Sequence, residues 1–327
     1  MKSFNWGILG TGGIAQAFVD DLSRAEGHHV IAIGSRSIEK AQSFAKPIRG
    51  ATAHGSYSEL VADKKVDAIY VATPHPMHLE HSLLAMNAGK PVLCEKPFAM
   101  SAAQTQSMID ASRNNGVALL EAMWTRYLPH IAQVREILKS GVLGEIQTVE
   151  ADHGQRLADR GIARLVNPDL GGGALLDLGI YPISFAHLVL GAPAKIMASA
   201  VMTDRGVDAQ TSAIFSYDNG SQAIINTTMI AQTPCRAVIS GLLGRLEIDR
   251  TFYTPSNMRV VLYDGTTTEY PSSYTGHGLR EQAIELARVV NSGALESPLM
   301  PHNESISVMK SMDEIRKQIG LTYPFEN

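Results

Sequence analysis

The chain has 327 residues, of which 45% are hydrophobic and 18% charged, and its formal net charge is −4. This length is enough for two globular domains, and the small negative charge gives no reason to expect a nucleic-acid partner. The N-terminal apolar stretch is too short for a signal peptide and no later run approaches a membrane span, so we predict a cytoplasmic protein without a membrane partner.

The cysteine and histidine content argues against a metal site. Cys94 and Cys235 are far apart in the sequence and belong to no Cys-x-x-Cys or Cys/His spacing, so neither a zinc site nor a disulfide framework is indicated. The eleven histidines are scattered. We therefore predict no metal.

Residues 1–121 alternate between short apolar runs and helical segments. The apolar runs lie at 4–9, 29–34, about 49–53, 67–72, 91–94 and 117–120, and the helical segments lie near 14–25, 38–45, 56–63, 78–88 and 101–115. This alternation predicts a doubly wound parallel sheet, that is, an α/β Rossmann domain over residues 1–121.

A glycine-rich turn follows the first run. The sequence GTGGIA at 10–15 is a GxGxxA pattern between a predicted strand and a predicted helix. The first glycine permits the tight turn, the second lets the backbone approach a pyrophosphate, and the alanine keeps the helix close to the strand. A merely tight turn is the alternative. The predicted cofactor contacts here are Gly10, Thr11, Gly12, Gly13 and Ile14.

The end of the second strand indicates which dinucleotide is bound. Ser35 and Arg36 stand where an NAD-preferring protein usually has an acidic residue, and Glu39 lies too far into the next helix to replace it. An arginine can pair with a 2′-phosphate and stack on adenine, and the serine can donate to the same phosphate. We predict NADP, with a solvated Arg36 as the alternative.

The fourth and fifth strands end in further candidate cofactor residues. Ligands of such sheets bind outside the carboxyl ends of the strands, so the residues after these strands should line one crevice. In CEKP (94–97), the lysine is the best catalytic candidate. His78 and His81 are more simply explained as helix residues than as catalytic ones. The predicted cofactor contacts here are Thr73, Pro74, His75, His78, Glu95 and Lys96.

After residue 121 the pattern changes. A helix at PHIAQVREILKSG leads to the strand GEIQTVEADHG, then a glycine-rich helix, and then strand-like runs at 194–203, 211–218, 221–230, 236–240, 245–250 and 258–263. YDNGS (217–221) and YDGT (263–266) fit hairpin turns. Two helices near 277–292 and 303–319 follow. We predict an α+β domain over 122–327 with a large, mostly antiparallel sheet.

Taken together, these motifs resemble the Gfo/Idh/MocA oxidoreductase family. The resemblance rests on GTGGIA, the SR pair, VATPHPMHLEH, EKP and GGGALLDLGIYPI, and it spans nearly the whole chain. EAMWTRYLP (121–129), GGGALLDLGIYPI (171–183) and SPLMPHNES (297–305) are most similar to the NADP-dependent dihydrodiol dehydrogenase and D-xylose dehydrogenase branch. The resemblance implies a Rossmann domain, then a sheet domain whose open face often supports a homodimer or homotetramer.

Asp177 and Tyr181 are four residues apart, so on a helix they lie on one face. A tyrosine, whose pKa is about 10 in model peptides, accepts a proton at neutral pH only if a nearby ammonium lowers that pKa. The resemblance implies that Lys96 supplies it, with Lys96 and Tyr181 at the substrate hydroxyl. Which of the two transfers the proton stays open. Asp177 either orients Tyr181, holds the substrate, or only interacts with the helix dipole.

Two further residues are predicted to contact the substrate. Trp124 either forms a wall of the substrate site or packs between domains. His153 stands where, as the resemblance implies, the dihydrodiol dehydrogenase branch carries an aromatic residue, which makes room for a more polar substrate such as an aldose. The nearby Arg156, Arg160 and Arg164 either steer a polar substrate or are solvated.

The sequence thus predicts an NADP-dependent oxidoreductase acting on a secondary alcohol or hemiacetal of a sugar, polyol or diol. A reductase of a dicarbonyl sugar on the same fold is the near alternative, and a non-catalytic NADP-binding sensor is the more distant one. A sensor needs neither Lys96 nor Tyr181.

Overall fold

A computed structural model describes residues 3–157 and 160–326. The chain divides into two compact units. Unit 1 is Met1–Tyr127 with Gly276–Ile306, and unit 2 is Leu128–Thr275 with Ser307–Asn327. The domain boundary predicted after residue 121 stays a prediction.

Unit 1 is built on a parallel sheet whose strand order is β3-β2-β1-β4-β5-β6. This order reverses between β1 and β4, so the carboxyl ends of these two strands frame a crevice where ligands bind in such sheets. The strands are β1 (Phe4–Leu9), β2 (His28–Gly34), β3 (Thr52–His54), β4 (Ala68–Val71), β5 (Val92–Glu95) and β6 (Leu119–Ala122). The helices are α1 (Gly13–Leu22), α2 (Ile38–Ala45), α3 (Tyr57–Ala62), α4 (His78–Asn87) and α5 (Ala102–Asn115).

Short-range signals fix several of these helices. The hydroxyls of Ser37, Ser56 and Ser101 accept the backbone N–H three residues later and cap α2, α3 and α5. The later helix α8 (Arg280–Ser292) belongs to unit 1 as well. The carboxylate of Asp21 on α1 accepts the backbone N–H groups of Gly278 and Arg280 at 3.0 and 2.9 Å, and so joins α1 to the start of α8.

Unit 2 contains a mixed sheet of order β14-β13-β12-β11-β7-β10-β9-β8, in which only the β7–β10 pair is parallel among the described residues. Its strands are β7 (Ile146–Gly154), β8 (Lys195–Met202), β9 (Asp208–Ser216), β10 (Gln222–Thr228), β11 (Ala237–Gly241), β12 (Gly244–Ile248), β13 (Met258–Leu262) and β14 (Thr267–Tyr270). Its helices are α6 (Pro129–Ser140), α7 (Ile180–Leu190) and most of α9 (His302–Ile319).

The predicted fold class is confirmed: a Rossmann sheet is followed by a large, mostly antiparallel sheet. Both predicted hairpins form, as β9 pairs antiparallel with β10 and β13 with β14. The sequence did not predict β14, because its residues TTEY are mostly exposed and carry no apolar alternation.

The statement that no run approaches the length and hydropathy of a membrane span was wrong. Pro168–Leu190 is long and apolar enough to cross a membrane by length and composition, with a mean hydropathy of 1.5. However, 78% of its apolar window is buried inside the protein, as in the core helix of a globular unit. The hydropathy arises because α7 is buried along most of its length, so it carries few polar residues.

Candidate active site

The glycine-rich turn has the geometry that an anion site requires. Gly10 has φ +108°, and a Cβ there would lie 2.9 Å from Ala72 O at the end of β4. At Gly12 and Gly13 a Cβ would meet nothing within 4 Å. Gly12 is the N-cap of α1 and provides no side-chain cap, so the first N–H groups of the helix face open space. Such a helix start binds phosphate groups.

The end of β2 presents one exposed cation. Arg36 is exposed whereas Ser35 beside it is buried, and the Ser35 hydroxyl accepts the Ser37 N–H at 3.4 Å. The Tyr57 hydroxyl hydrogen bonds with Arg36, while burial raises the pKa of Tyr57. Arg36, Tyr57 and His81 line one cleft of about 630 Å³, and His81 packs edge-on against the Tyr57 ring at 4.6 Å.

The loops after β4 and β5 are joined by one buried histidine. His78 is fully buried, with Nε2 2.9 Å from Thr73 O and Nδ1 2.9 Å from Pro97 O. The structure thus brings together Thr73, His78 and the EKP segment, as expected for residues after adjacent strands. His78 is inside this junction, so it acts on a cofactor, if at all, through the loops that it holds.

Lys96 differs from its neighbours in exposure. Residues 92–95 and 97–100 are buried, and Lys96 alone in that stretch is partly exposed. Its backbone N–H donates to Glu95 Oε2 at 3.2 Å, and Glu95 in turn accepts a short hydrogen bond from the Tyr70 hydroxyl. Lys96 is therefore the partly exposed residue of the EKP segment at the carboxyl end of β5. His75 is buried nearby, with its ring 5.7 Å from that of His78.

Unit 2 holds an aromatic cluster around Tyr181. The Tyr181 ring lies 5.1 Å from His153 and 4.9 Å from Tyr253, and His153 stacks on Tyr253 at 4.0 Å. The Gln155 amide donates to Tyr253 Oη at 3.0 Å and lies 2.8 Å from His153 Nε2. Because an amide nitrogen only donates, the Gln155 amide in this orientation makes His153 Nε2 an acceptor. Burial raises the pKa of Tyr253.

Asp177 lies in a π-helical turn, Leu175–Gly179, which continues into α7 with Tyr181. Such turns are frequent at functional sites. Arg164 Nη2 is 3.1 Å from Asp177 Oδ1, so this arginine interacts with a predicted site residue. At the start of the turn, the buried Asp208 carboxylate accepts the Leu175 N–H at 2.8 Å.

Trp124 lies in unit 1, away from the other predicted substrate residues in the sequence, and its side chain is 4% exposed. The Trp124 ring lies 5.0 Å from the His277 ring. The structure places His277 beside Trp124, and Tyr253 and Gln155 beside His153. These three residues could not be predicted from the sequence, because they come from loops without a motif. The aromatic pair Phe252-Tyr253 in a turn was the one available signal for Tyr253.

The residues fit a dinucleotide and do not suggest a metal. The open space beyond Gly12 and Gly13, the uncapped start of α1 and the exposed Arg36 supply backbone donors and a cation for phosphates. Within residues 3–157 and 160–326, no group of three or more His, Cys, Asp or Glu side chains could hold a metal ion. The individual roles of the predicted site residues stay predictions.

Comparison with known proteins covers both units. Residues 4–123 match the Gfo/Idh/MocA oxidoreductase family, NAD-binding Rossmann fold, and residues 131–247 match the Gfo/Idh/MocA C-terminal domain. The chain is 37% identical over 333 residues to trans-1,2-dihydrobenzene-1,2-diol dehydrogenase of Danio rerio, covering 98% of each chain. It is 37% identical over 366 residues to D-xylose 1-dehydrogenase (NADP(+)) of Hypocrea jecorina, covering 98% of this chain and 93% of that enzyme.

Among solved structures, KijD10, a 3-ketoreductase from Actinomadura kijaniata in complex with NADP and TDP-benzene, superposes with a TM-score of 0.86. It has 29% sequence identity, and the match covers 97% of this chain and 98% of KijD10. KijD10 variants with one tyrosine or one lysine replaced have also been solved. The matches to both family models and to full-length relatives confirm the resemblance seen in the sequence: the chain belongs to the Gfo/Idh/MocA oxidoreductase family.

Proposed function

We propose that this protein is an NADP-dependent oxidoreductase that transfers a hydride between a hydroxyl-bearing carbon of a sugar, polyol or diol and the nicotinamide. The exposure of Lys96 carries the proposal. It is the one partly exposed residue in an otherwise buried stretch at the carboxyl end of β5, where ligands of such sheets react. The two relatives that act on diols and xylose support the substrate class.

NADP is preferred because Arg36 is exposed at the end of β2 and its sequence neighbours are Ser35 and Ser37, not an acidic residue that would bind a free 2′-hydroxyl. The guanidinium can form two charge-assisted hydrogen bonds with a 2′-phosphate. The N–H groups at the start of α1 would hold the pyrophosphate, and the loops after β4 and β5 would hold the nicotinamide end. When bound, the nicotinamide accepts or gives the hydride.

The chain's own residues handle the proton. In the oxidising direction the substrate hydroxyl loses its proton to the Tyr181 phenolate or to Lys96 in its neutral amine form, while the carbon loses its hydride to the nicotinamide. When Tyr181 takes the proton, the Lys96 ammonium stabilises negative charge on the reacting oxygen, and a preorganised cation of this kind lowers the barrier most where water is excluded. The ring contacts of Tyr181 with His153 and Tyr253 hold its phenol in one orientation.

The reducing direction is a second candidate, because KijD10 is a ketoreductase. The same residues would then act in reverse, with Tyr181 or Lys96 giving the proton to the new alkoxide. Oxidation of NADPH in the presence of keto sugars and dicarbonyl sugars tests this direction. The cytoplasmic location and the homodimer or homotetramer stay predictions.

The test is steady-state NADP+ reduction across aldoses, polyols and trans-dihydrodiols, with NAD+ run in parallel. We expect turnover of one class with NADP+, loss of turnover in Lys96→Ala and Tyr181→Phe, and intact NADPH binding in both variants. Tyr253→Phe is the matched control, since it removes a phenol oxygen from the same aromatic cluster and should keep turnover. Full activity of Lys96→Ala on a good substrate would refute the mechanism.

A further inference from the structure

Glu121 is a buried acid for which the proposed chemistry has no use. It lies in β6, is 2% exposed and belongs wholly to unit 1. Its Oε1 accepts the backbone N–H of Phe98 at 3.2 Å, and its Oε2 accepts the Ser305 hydroxyl at 2.6 Å. A buried carboxylate is costly unless its oxygens are bonded, so this arrangement needs a reason beyond packing.

The Phe98 contact lies two residues beyond Lys96. The backbone N–H of Lys96 itself donates to Glu95 Oε2 at 3.2 Å. In the two residues after Lys96, Pro97 O lies 2.9 Å from His78 Nδ1, and the Phe98 N–H donates to Glu121. The backbone on both sides of Lys96 is therefore fixed by buried polar side chains. Lys96 itself is partly exposed between these buried neighbours.

The charges around Glu121 leave its ionisation finely balanced. Burial raises the pKa of Glu121 more than the Ser305 and Phe98 hydrogen bonds and the Arg126 guanidinium lower it, so the pKa is about 7. Arg126 pairs with Glu304 of α9, and Glu304 itself disfavours a second negative charge. On the neighbouring strand, Cys94 lies opposite Glu121 in the register, and burial raises the pKa of its thiol.

Building on the proposed function, we infer that Glu121 is a positioning residue: by accepting the Phe98 N–H it fixes the backbone that carries Lys96 and so sets where the ammonium meets the substrate. Without it, the buried N–H of Phe98 loses this acceptor. Unpaired buried amides are unfavourable, so the segment would shift to find another partner. A displacement of about 1 Å at a catalytic group can lower turnover by about 100-fold.

Two substitutions of Glu121 distinguish the loss of its hydrogen-bond acceptor from the loss of its negative charge. Glu121→Gln keeps an amide oxygen for Phe98 N–H and an amide N–H for the Ser305 hydroxyl, whereas Glu121→Leu removes the acceptor at similar volume. We expect kcat to fall at least about tenfold in Glu121→Leu and to stay within about threefold of wild type in Glu121→Gln, with the KM for NADP+ within about twofold in both. Ser305→Ala, which removes only the second contact, should keep wild-type kcat. Wild-type kcat in folded Glu121→Leu would overturn the inference.

A readout without turnover separates this inference from the proposed function. Hydrogen exchange at the Phe98 amide should speed up at least about tenfold in Glu121→Leu relative to Glu121→Gln. Relative to Glu121→Gln, in which residue 121 does not titrate, protection of this amide in wild type, corrected for intrinsic exchange, should fall as pH rises from about 4.5 toward 7, because opening lets Glu121 ionise at its ordinary pKa. This comparison needs no Leu variant, so the inference is tested even if Glu121→Leu does not fold. Absence of this pH dependence would overturn the inference.

Lack of turnover with these exchange results intact would instead count against the proposed function.

Discussion

His78 Nδ1 lies 2.9 Å from the carbonyl oxygen of Pro97, and its Nε2 lies 2.9 Å from that of Thr73. A neutral imidazole carries one N–H and can donate to only one of these oxygens, whereas the imidazolium could donate to both. Burial nevertheless lowers the pKa of His78 to about 4, so the ring is neutral at neutral pH. His78 thus joins the loops after β4 and β5 at the cost of one unfavourable contact.

This gives a pH-dependent prediction. The folded protein keeps His78 neutral down to about pH 4, whereas the unfolded chain protonates it near its ordinary value of 6.5. The unfolded state therefore binds more protons between these values. The contribution of His78 to the free energy of unfolding is complete above about pH 6.5 and is lost as pH falls toward 4.

Thermal unfolding from pH 4 to 7.5 tests this. Compared with His78→Gln, wild type should lose more stability on acidification, and the difference should develop between pH 6.5 and 4. Glu121 works in the opposite direction, because its raised pKa makes stability fall as pH rises from its ordinary 4.5 toward 7. The comparison with His78→Gln cancels that contribution. His29→Gln, at an exposed site, is the control and should follow wild type.

Two glycines of the same turn should respond to alanine in different ways. In Gly10→Ala the new Cβ would lie 2.9 Å from the Ala72 carbonyl oxygen at a φ of +108°, so we expect a loss of about 1–3 kcal/mol in the free energy of unfolding. In Gly12→Ala the Cβ meets no protein atom within 4 Å and φ is −82°. Stability should then change by less than about 0.5 kcal/mol.

Gly12→Ala should instead weaken cofactor binding, because the new methyl group would occupy space that the pyrophosphate needs. We expect the Kd for NADPH to rise at least about tenfold, equivalent to about 1.4 kcal/mol. Calorimetric titration and chemical denaturation of both variants measure the two effects. Unchanged NADPH affinity in Gly12→Ala would mean that the turn does not hold the pyrophosphate.

Arg36 gives the sharpest test of cofactor choice. Arg36→Asp replaces a cation with a carboxylate that repels a 2′-phosphate and accepts from a free 2′-hydroxyl. The Kd for NADPH should rise at least about tenfold while that for NADH stays level or falls. Tyr57→Phe removes only the hydroxyl that bonds Arg36, and its effect should be smaller and confined to NADPH. An equal loss of affinity for NADPH and NADH would show that Arg36 does not bind the 2′-phosphate.

The sequence predicted regular, apolar elements well. The run predicted at 4–9 is the strand Phe4–Leu9, because it is a short and almost continuously buried apolar run, and the segment predicted near 38–45 is the helix Ile38–Ala45, which begins at the Ser37 cap. The contacts of Glu121 with Phe98 and Ser305 could not be predicted, since they join residues 23 and 184 positions apart. No local pattern encodes such a contact. The π-helical turn at Leu175–Gly179 was also missed, because its composition is that of an ordinary buried helix.

The contacts of Gln155 could not be predicted from a local sequence pattern either, and they provide the last prediction. Its amide contacts both His153 Nε2 and Tyr253 Oη, and so holds together the two rings that pack beside Tyr181. Gln155→Leu keeps the side-chain bulk and removes both contacts. If His153 and Tyr181 bind the substrate, we expect its KM to rise by about tenfold, with the KM for NADP+ unchanged, because the buried polar groups lose their partner.

Gln232→Leu is the matched control for Gln155→Leu. Its amide donates to the backbone oxygens of Gly154 and Thr233 at 2.9 and 3.1 Å and lies 3.7 Å from Cys235 Sγ, so it is a glutamine bonded mainly to backbone at the same strand end. Steady-state kinetics with the best substrate from the panel compares the two. A rise in substrate KM of the same size in both variants would mean that the effect comes from the loop backbone. A rise confined to Gln155→Leu assigns it to the orientation of His153 and Tyr253, which the Gln155 amide contacts.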